Sequence, residues 1–276
     1  MTLTDLDIER LFQELLKFQE QDSSYNLSQF KSLITAHQYR RLYETFEKYI
    51  SQGSEVLDWG CGNGHFSYFL TKFGYKAFGF SFNDFPFRQV LNGYKFNQTS
   101  LKEPTALPYP DCKFDAVVSV GVLEHVRETG GTEVGSLREI LRILKLNGVF
   151  VCYHLPNQFS LIEFIASLLS NKYHHKYRYT RQSIETLCQQ SGFELLELQQ
   201  YGFLPRNMWG SLPTKLGNSP VIASIWNFLD EVLRYPFAGF CQNYLFVARK
   251  TSVPSQFCEP TSCTGVRSPA WDSTSG

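Results

Sequence analysis

The 276-residue sequence has no excess of charge of either sign. It contains 26 lysine and arginine residues and 26 aspartate and glutamate residues, so its formal net charge is zero. Proteins that bind nucleic acids are more often basic, with positive side chains gathered on one face. The composition therefore disfavours a nucleic-acid binder, and we expect no nucleic acid among the partners.

Long apolar runs are also missing. A helix that crosses a bilayer needs roughly 18 or more apolar residues in succession. The longest run here, SLIEFIASLL, is short and contains Glu163. We expect no integral membrane segment. The N-terminal stretch MTLTDLDIERLFQELLKF is acidic and amphipathic, unlike a secretory signal.

None of the seven cysteines forms a CxxC pair with another. Their odd number and wide scatter are typical of a protein kept in a reducing compartment, so we predict a cytoplasmic location. Cys258 and Cys263 are separated by four residues and have no further metal-ligating partners nearby. We predict no zinc site there.

From Glu55 onward, short apolar runs alternate with stretches of helical periodicity. Strands alternating with helices imply βαβ units, a parallel sheet and right-handed crossovers. Residues 6–50, before this alternation, are predicted to be helical in two or more pieces. The predicted strands are 55–59, 76–80, 114–120, 148–154, 194–200 and 243–249, with a weaker one near 94–98, and the predicted helices lie near 64–73, 132–146, 159–170, 180–191 and 220–235.

Composition divides the chain into three parts. We predict N-terminal helices over 1–52, a main domain over 53–250, and a disordered tail over 251–276, where serine, threonine, proline and glycine predominate. Two segments of the main domain, at about 157–180 and 201–240, are predicted to be a lid or insertion. The amphipathic helix in the second could cover a pocket, pack on the core, touch a membrane-borne lipid or form a homodimer contact.

The stretch EVLDWGCGNGHFSYFL contains three glycines at alternate positions between a strand and a helix. Glycines in such a turn let a ligand lie against the backbone, and the helix N-terminus offers free N–H groups. Dinucleotide sites use G-x-G-x-x-G, but His65 stands where the third glycine of that motif belongs. The spacing D-x-G-x-G-x-G therefore disfavours a nicotinamide or flavin oxidoreductase.

This glycine motif resembles the first motif of class I S-adenosylmethionine (SAM) dependent methyltransferases. FDAVVSVGVLEHV resembles that family's fourth strand and following turn, LREILRILKLNGVFVCYHLPN its next helix and fifth strand, and GFELLELQQYG with NYLFVARK its closing antiparallel pair. The resemblance implies a Rossmann-like α/β fold: a seven-stranded, mostly parallel sheet with helices on both faces and an antiparallel last strand. It also implies SAM as the cofactor.

The resemblance carries residue roles to matching positions. Asp58 would orient the amino-acid end of the cofactor through water or loop N–H groups, and Val120 would offer its carbonyl to the α-amino group. The remaining loop residues would lie under the methionine moiety and ribose: Gly60, Cys61, Gly62 and Gly64.

Two positions depart from the family's pattern. Ser81 replaces the usual acidic residue that binds the ribose hydroxyls, and Asp84, three residues further on, is the alternative group for this role. Glu103 falls where an acid usually accepts from the adenine amino group, but Pro104 follows and has no N–H to offer the ring. These departures imply rearranged or weaker cofactor contacts.

Two histidines are candidates for catalysis, because each follows a strand at the edge where parallel sheets bind ligands. His125 lies just past the fourth strand and His154 at the end of the fifth. Each also has a structural interpretation: a cofactor-side residue for His125 and a hydrogen bond that fixes the strand end for His154. After the helix that follows, NKYHHKYRYT offers aromatic rings and Arg178 as contacts for a bound acceptor.

No metal site is predicted. The segment GVLEH is similar to an E-x-x-E-H segment that supplies metal ligands in O-methyltransferases of the ubiquinone pathway, but Gly121 replaces its first acid. His154, His174 and His175 have no acidic partner at a matching spacing.

The sequence thus predicts an enzyme, a SAM-dependent methyltransferase acting on a small molecule, with oxygen as the expected acceptor and carbon or nitrogen as alternatives. A methyltransferase-like scaffold with weak or no catalysis is the alternative, because Ser81 and Pro104 alter the cofactor contacts. Methylation of nucleic-acid amino groups is disfavoured, because the turn after the fourth strand reads SVGV instead of Asp/Asn-Pro-Pro-aromatic.

Overall fold

A computed structural model describes residues 4–21, 30–82, 97–100, 106–169 and 174–251 of the chain. Its centre is a sheet with the strand order β3-β2-β1-β4-β5-β7-β6. The strands are β1 Glu55–Trp59, β2 Lys76–Ser81, β3 Asn97–Ser100, β4 Phe114–Val120, β5 Leu144–Pro156, β6 Phe193–Tyr201 and β7 Asn243–Lys250. Strand β7 runs antiparallel to both of its neighbours, β5 and β6, and the other pairs are parallel.

Helices cover both faces of the sheet. They are α1 Asp5–Gln21, α2 Leu33–Ala36, α3 Arg40–Tyr49, α4 His65–Lys72, α5 Glu133–Ile143, α6 Leu161–Ser167, α7 Arg181–Ser191, α8 Thr214–Gly217 and α9 Pro220–Arg234. The prediction of a Rossmann-like α/β fold with an antiparallel last strand is confirmed.

Successive side chains along each strand point to opposite faces of the sheet, and they pack into two separate apolar layers. On one face, Val56 and Val118 pack with buried residues of α1, α3 and α4. On the other, Leu57 and Val117 pack with buried residues of α5 and α7. The N-terminal helices therefore form part of the same core as the sheet, and they cover the edge at which β4 and β5 end.

The helix before β5 ends earlier than its periodicity predicts. We predict a helix to residue 146, stopped by Asn147 and Gly148, but α5 ends at Ile143 and Leu144 already has extended backbone. Leu144 pairs with Phe114, and the register shifts before Ala116 pairs with Val149. Pairing with β4 outweighs the helical propensity of this segment.

Helix α9 is confirmed in position, and part of its apolar face is exposed. Ile225, Leu229 and Val232 are exposed. The buried positions are Ala223 and Asp230. Asp230 faces inward because its carboxylate pairs with Arg206.

Among the described cysteines, Cys61, Cys152, Cys188 and Cys241 are free thiols. Within the described ranges, no helix is both long and apolar enough to cross a membrane. Residues 252–276, predicted to be a tail, lie outside the described residues.

Candidate active site

The glycine loop joins β1 to α4 in a conformation that L-residues rarely adopt. Gly60, Gly62 and Gly64 have φ angles of +74°, +48° and +76°. The N–H groups of Gly60 and Cys61 both donate to the carbonyl oxygen of Phe80, at 2.8 and 3.0 Å. The loop is therefore fixed against the end of β2, and glycine supplies its left-handed turns without steric strain.

The glycines have different reasons to lack a side chain. A Cβ at Gly60 would lie 2.4 Å from Cγ2 of Val122, so packing within the protein already requires glycine there. A Cβ at Gly62 would meet only the carbonyl oxygen of Gly60, at 3.7 Å. Gly62 is exposed. The space above it is open, so a ligand can approach the backbone of the loop at this residue.

Asp58 is buried beneath the loop. The hydroxyl of Ser67, on α4, donates to Oδ2 of Asp58 at 2.6 Å. Burial raises the pKa of this carboxyl to about 7, while the Ser67 hydrogen bonds act to lower it. The carboxyl ties the start of α4 to the end of β1, so its influence on a cofactor would pass through the loop.

Ser81, at the end of β2, forms a hydrogen bond with the Cys61 thiol. This places the serine beside the glycine loop, at the edge where a ribose would lie. Asp84, Glu103 and Pro104 lie outside the described residues, so the predictions for the ribose and adenine contacts stay predictions.

A cavity of about 930 Å³ opens where β4 and β5 end. Val120 and His125 line it from β4 and the turn after it, and His154 lines it from β5. The N-terminal helices, the segment around His175 and helix α9 complete its walls. The structure thus brings both candidate catalytic histidines and Val120 to one cavity, with His65 linking it to the glycine loop.

His154 is held firmly on a strained backbone, with φ of +63°. Its N–H donates to the hydroxyl oxygen of Tyr201 at 2.9 Å, and the same hydroxyl lies 2.9 Å from Nδ1 of the ring. The amide nitrogen of Asn243 is 3.4 Å from that Nδ1. A neutral ring with its proton on Nε2 satisfies these contacts, since Nδ1 then accepts from both neighbours.

Burial also keeps this ring neutral, because it lowers the pKa of His154 to about 3. A ring with such a pKa is a weak base. With the proton on Nε2, His154 is suited to donate a hydrogen bond into the cavity.

His125 has a different environment. Its Nδ1 lies 3.1 Å from Oε2 of Glu128, and its Nε2 lies 4.0 Å from Oε1 of the buried Glu124. A carboxylate beside Nδ1 favours a proton there and leaves the lone pair on Nε2. This nitrogen can accept a proton or bind a cation.

Sequence reasoning missed three residues of the cavity wall. In the sequence, His65 only interrupts a glycine motif, and Tyr39 lies within the predicted N-terminal helices without a distinguishing signal. The His65 ring is buried 4.5 Å from that of Tyr39, centroid to centroid, and its pKa is lowered to about 3 by burial. Tyr201 ends a predicted strand, and only the fold reveals its contact with His154.

The residues of the predicted lid do not all line the same cavity. His175 lines the main cavity. Arg178 lines a second hollow with Arg127 and Lys176, so it does not lie beside the candidate catalytic histidines. Tyr179 is buried and donates to Oε1 of Glu133 at 2.7 Å, which makes it a structural residue.

The sequence model of a family described as "Methyltransferase domain" matches residues 32–198, which include the glycine loop, β4, β5 and both candidate histidines. The chain belongs to the class I SAM-dependent methyltransferase family. A curated relative from Encephalitozoon cuniculi, provisionally named a methyltransferase, is 27% identical over 165 residues, covering 55% of this chain and 75% of the relative.

Solved structures share the fold of this methyltransferase. A SAM-dependent methyltransferase from Archaeoglobus fulgidus matches with a TM-score of 0.52 and 21% identity, covering 76% of this chain and 92% of that one. The [4+2]-cyclase SpnF matches with a TM-score of 0.52 and 19% identity, covering 76% and 80%. One scaffold thus carries more than one reaction, and the chemistry must be argued from the site.

The enzyme's cofactor is SAM, which supplies a methyl group already activated on a sulfonium sulfur. The open space above Gly62 fits such a ligand, because a Cβ would project into it. The backbone around Gly62, the Ser81 hydroxyl and the end of β4 at Val120 are the groups that would hold it.

Proposed function

We propose that this methyltransferase transfers the methyl group to a hydroxyl oxygen of a small, uncharged polar molecule held in the cavity between β4, β5 and α9. The observation that carries the proposal is the His154 ring, which lines the cavity and is fixed at Nδ1 by the Tyr201 hydroxyl. A neutral ring held in this way carries its proton on Nε2. The cavity volume of about 930 Å³ is within the range of small-molecule sites.

The hydrogen-bond donor at His154 favours oxygen among the acceptor atoms. A hydroxyl oxygen can accept from Nε2–H and still direct a lone pair at the methyl carbon. A neutral amine has only one lone pair, so it cannot accept this hydrogen bond and attack the methyl carbon at the same time, and a carbon nucleophile accepts a hydrogen bond poorly. Holding the acceptor in line with the methyl group supplies much of the rate acceleration.

Three arginines of the cavity wall are paired with carboxylates of the same wall. Arg206 donates to Asp230 at 2.9 Å and to Asn227 at 2.7 Å. Arg41 and Arg234 both bind Glu231. Because these three arginines are already held by carboxylates of the wall, the cavity favours an uncharged acceptor over a carboxylate or a phosphate.

Transfer to a hydroxyl forms an oxygen–carbon bond as the bond between the methyl carbon and the sulfonium sulfur breaks; S-adenosylhomocysteine is the leaving group, and the hydroxyl proton is released. His154 is a poor recipient for this proton, since burial lowers its pKa to about 3. We infer that the proton leaves on the side of the cavity that contains Glu124 and His125. The two candidate histidines therefore have different roles. His154 orients the acceptor, and His125 lies on the side of the cavity through which the proton leaves.

The test is methyl transfer from isotopically labelled SAM to a panel of neutral phenols and alcohols, with matched amines and thiols. The expected result is label in O-methylated small molecules, with turnover strongly reduced in His154→Ala and retained in His174→Ala. His174 is the matched control, because it is an exposed histidine in the same region. Label found only in amines, or only in added protein or nucleic acid, would contradict the proposal.

A further inference from the structure

Three side chains able to bind a metal ion converge on one wall of the cavity. Glu124 and His125 come from the 3-10 segment Leu123–Thr129 after β4. His175 comes from the segment between α6 and α7. One potential ligand atom from each residue lies within 4.8 Å of those of the other two. These residues are distant in sequence, and the fold brings them together.

Glu124 is the unusual member of the group. Its side chain is buried, and its Oε2 atom has no hydrogen-bond partner among the described residues. A buried polar atom without a partner is unfavourable, and most such atoms in proteins have a partner. A cation bound at this oxygen would remove the penalty.

Both histidines are oriented by a carboxylate on the opposite ring nitrogen. His125 has Nδ1 at 3.1 Å from Glu128. His175 has Nδ1 at 2.9 Å from Oε1 of Glu163, and the other oxygen of Glu163 accepts from the His175 backbone N–H at 2.9 Å. Metal-binding histidines are commonly held by such carboxylates, which fix the proton on Nδ1 and leave the lone pair on Nε2.

We propose that Glu124, His125 and His175 bind one divalent transition-metal ion of the zinc type, with a coordination position facing the cavity. Two histidines and one glutamate are a ligand set found in zinc sites that keep an open position. Glu124 and His125 are consecutive, whereas His175 is distant in sequence, so the ligand set is formed in space and not by consecutive spacing.

Small side-chain movements would bring the three ligand atoms to the separations that a tetrahedral metal ion requires. Ligand atoms about 2.0–2.1 Å from a tetrahedral ion lie roughly 3.4 Å from one another. In the structure, Nε2 of His125 and Oε1 of Glu124 are 4.0 Å apart. Side-chain rotations that shift the atoms by about 1 Å are enough. The ion would then face the space where an oxygen-bearing ligand enters, and its binding does not depend on which acceptor is methylated.

The test is titration of chelator-treated, full-length protein with Zn²⁺ by calorimetry and with Co²⁺ by absorbance. We expect one ion per chain and Co²⁺ bands of low coordination number. Glu124→Gln and His175→Ala should each weaken binding by at least about tenfold, and Glu163→Gln by about 10–100-fold through loss of His175 orientation. His174→Ala should bind like wild type.

Circular dichroism and the thermal shift with SAM establish that each variant is folded and retains its cofactor site. Glu124→Gln keeps the shape of the side chain, so it tests the ligand even if His175→Ala is unstable. Absence of stoichiometric binding would overturn the proposal. Equal binding by wild type and the Glu124 and His175 variants would also overturn it, because the ion would then be held elsewhere, for instance by cysteines.

Discussion

The hydroxyl of Tyr201 contacts His154 at two atoms: it accepts from the backbone N–H at 2.9 Å and lies 2.9 Å from the ring Nδ1. Tyr201 ends β6, and His154 lies on β5, across the intervening β7. A residue on the antiparallel side of the sheet thus fixes the ring at the end of the last parallel strand. The orientation of the candidate acceptor-binding group depends on this contact.

The first prediction concerns that hydroxyl. Tyr201→Phe removes the acceptor of the His154 N–H and the donor to Nδ1, and it should lower the free energy of unfolding by about 1–3 kcal/mol. The ring nitrogen NMR shifts of His154 should indicate the Nε2–H tautomer in the wild type and a mixture in the variant. Unchanged ring nitrogen shifts would show that Tyr201 does not set the tautomer.

The second prediction concerns the packing of Val122 on the glycine loop. Gly60→Ala places a Cβ 2.4 Å from Cγ2 of Val122 at a φ of +74°, and it should destabilise the protein by about 1–3 kcal/mol. Combining it with Val122→Ala should recover the steric part of this loss but not the backbone part. Urea unfolding of both single variants and the double variant measures the coupling. Additive losses would mean that the contact carries no energy.

The third prediction concerns the pH dependence of stability due to His65. Burial lowers its pKa to about 3 in the folded protein, whereas an unfolded histidine has a pKa of about 6.5. Between these values only the unfolded chain binds the proton. The stability that the neutral ring contributes is therefore complete above about pH 6.5 and is lost as the pH falls toward about 3.

Replacing His65 by phenylalanine should remove this term, which is about 1.4 kcal/mol per pH unit. Urea unfolding at about pH 7.5, 6.5 and 5.5 compares the slopes. Other buried groups contribute to the total slope: His154 acts in the same direction, and Asp58, with its pKa raised to about 7, acts in the opposite direction. The comparison between variants isolates His65. His174→Phe should keep the wild-type slope, and identical slopes for wild type and His65→Phe would refute the assignment.

Sequence reasoning succeeded where local pattern and spacing carry the information. The glycine spacing after β1 and the apolar periods predicted the α/β alternation, and both candidate histidines were chosen because they follow parallel strands. The helix end at Ile143 was wrong because strand pairing with β4 decides it. The apolar positions of α9 do not by themselves show which face is buried, because Asp230 turns inward to meet Arg206.

The unpredicted parts of the site depend on contacts between distant segments. Tyr201 meets His154, and His175 meets Glu124, only after the sheet has formed. The prediction that no metal is bound considered ligand spacing along the chain, which does not reveal a cluster assembled from two separate turns. The sequence also does not show that a buried polar atom, such as Oε2 of Glu124, has no hydrogen-bond partner among the described residues.

The central claim is that the cofactor lies over the open backbone at Gly62, and calorimetric titration of SAM into two glycine variants tests it most directly. Gly62→Val fills the space above the loop. Gly53→Val imposes similar strain, at a φ of +83° and with no neighbour within 4 Å, in the turn before β1. Both variants should lose stability, but only Gly62→Val should weaken SAM binding, by about 100-fold or more. Wild-type SAM affinity in folded Gly62→Val, or an equal loss in both variants, would contradict the account.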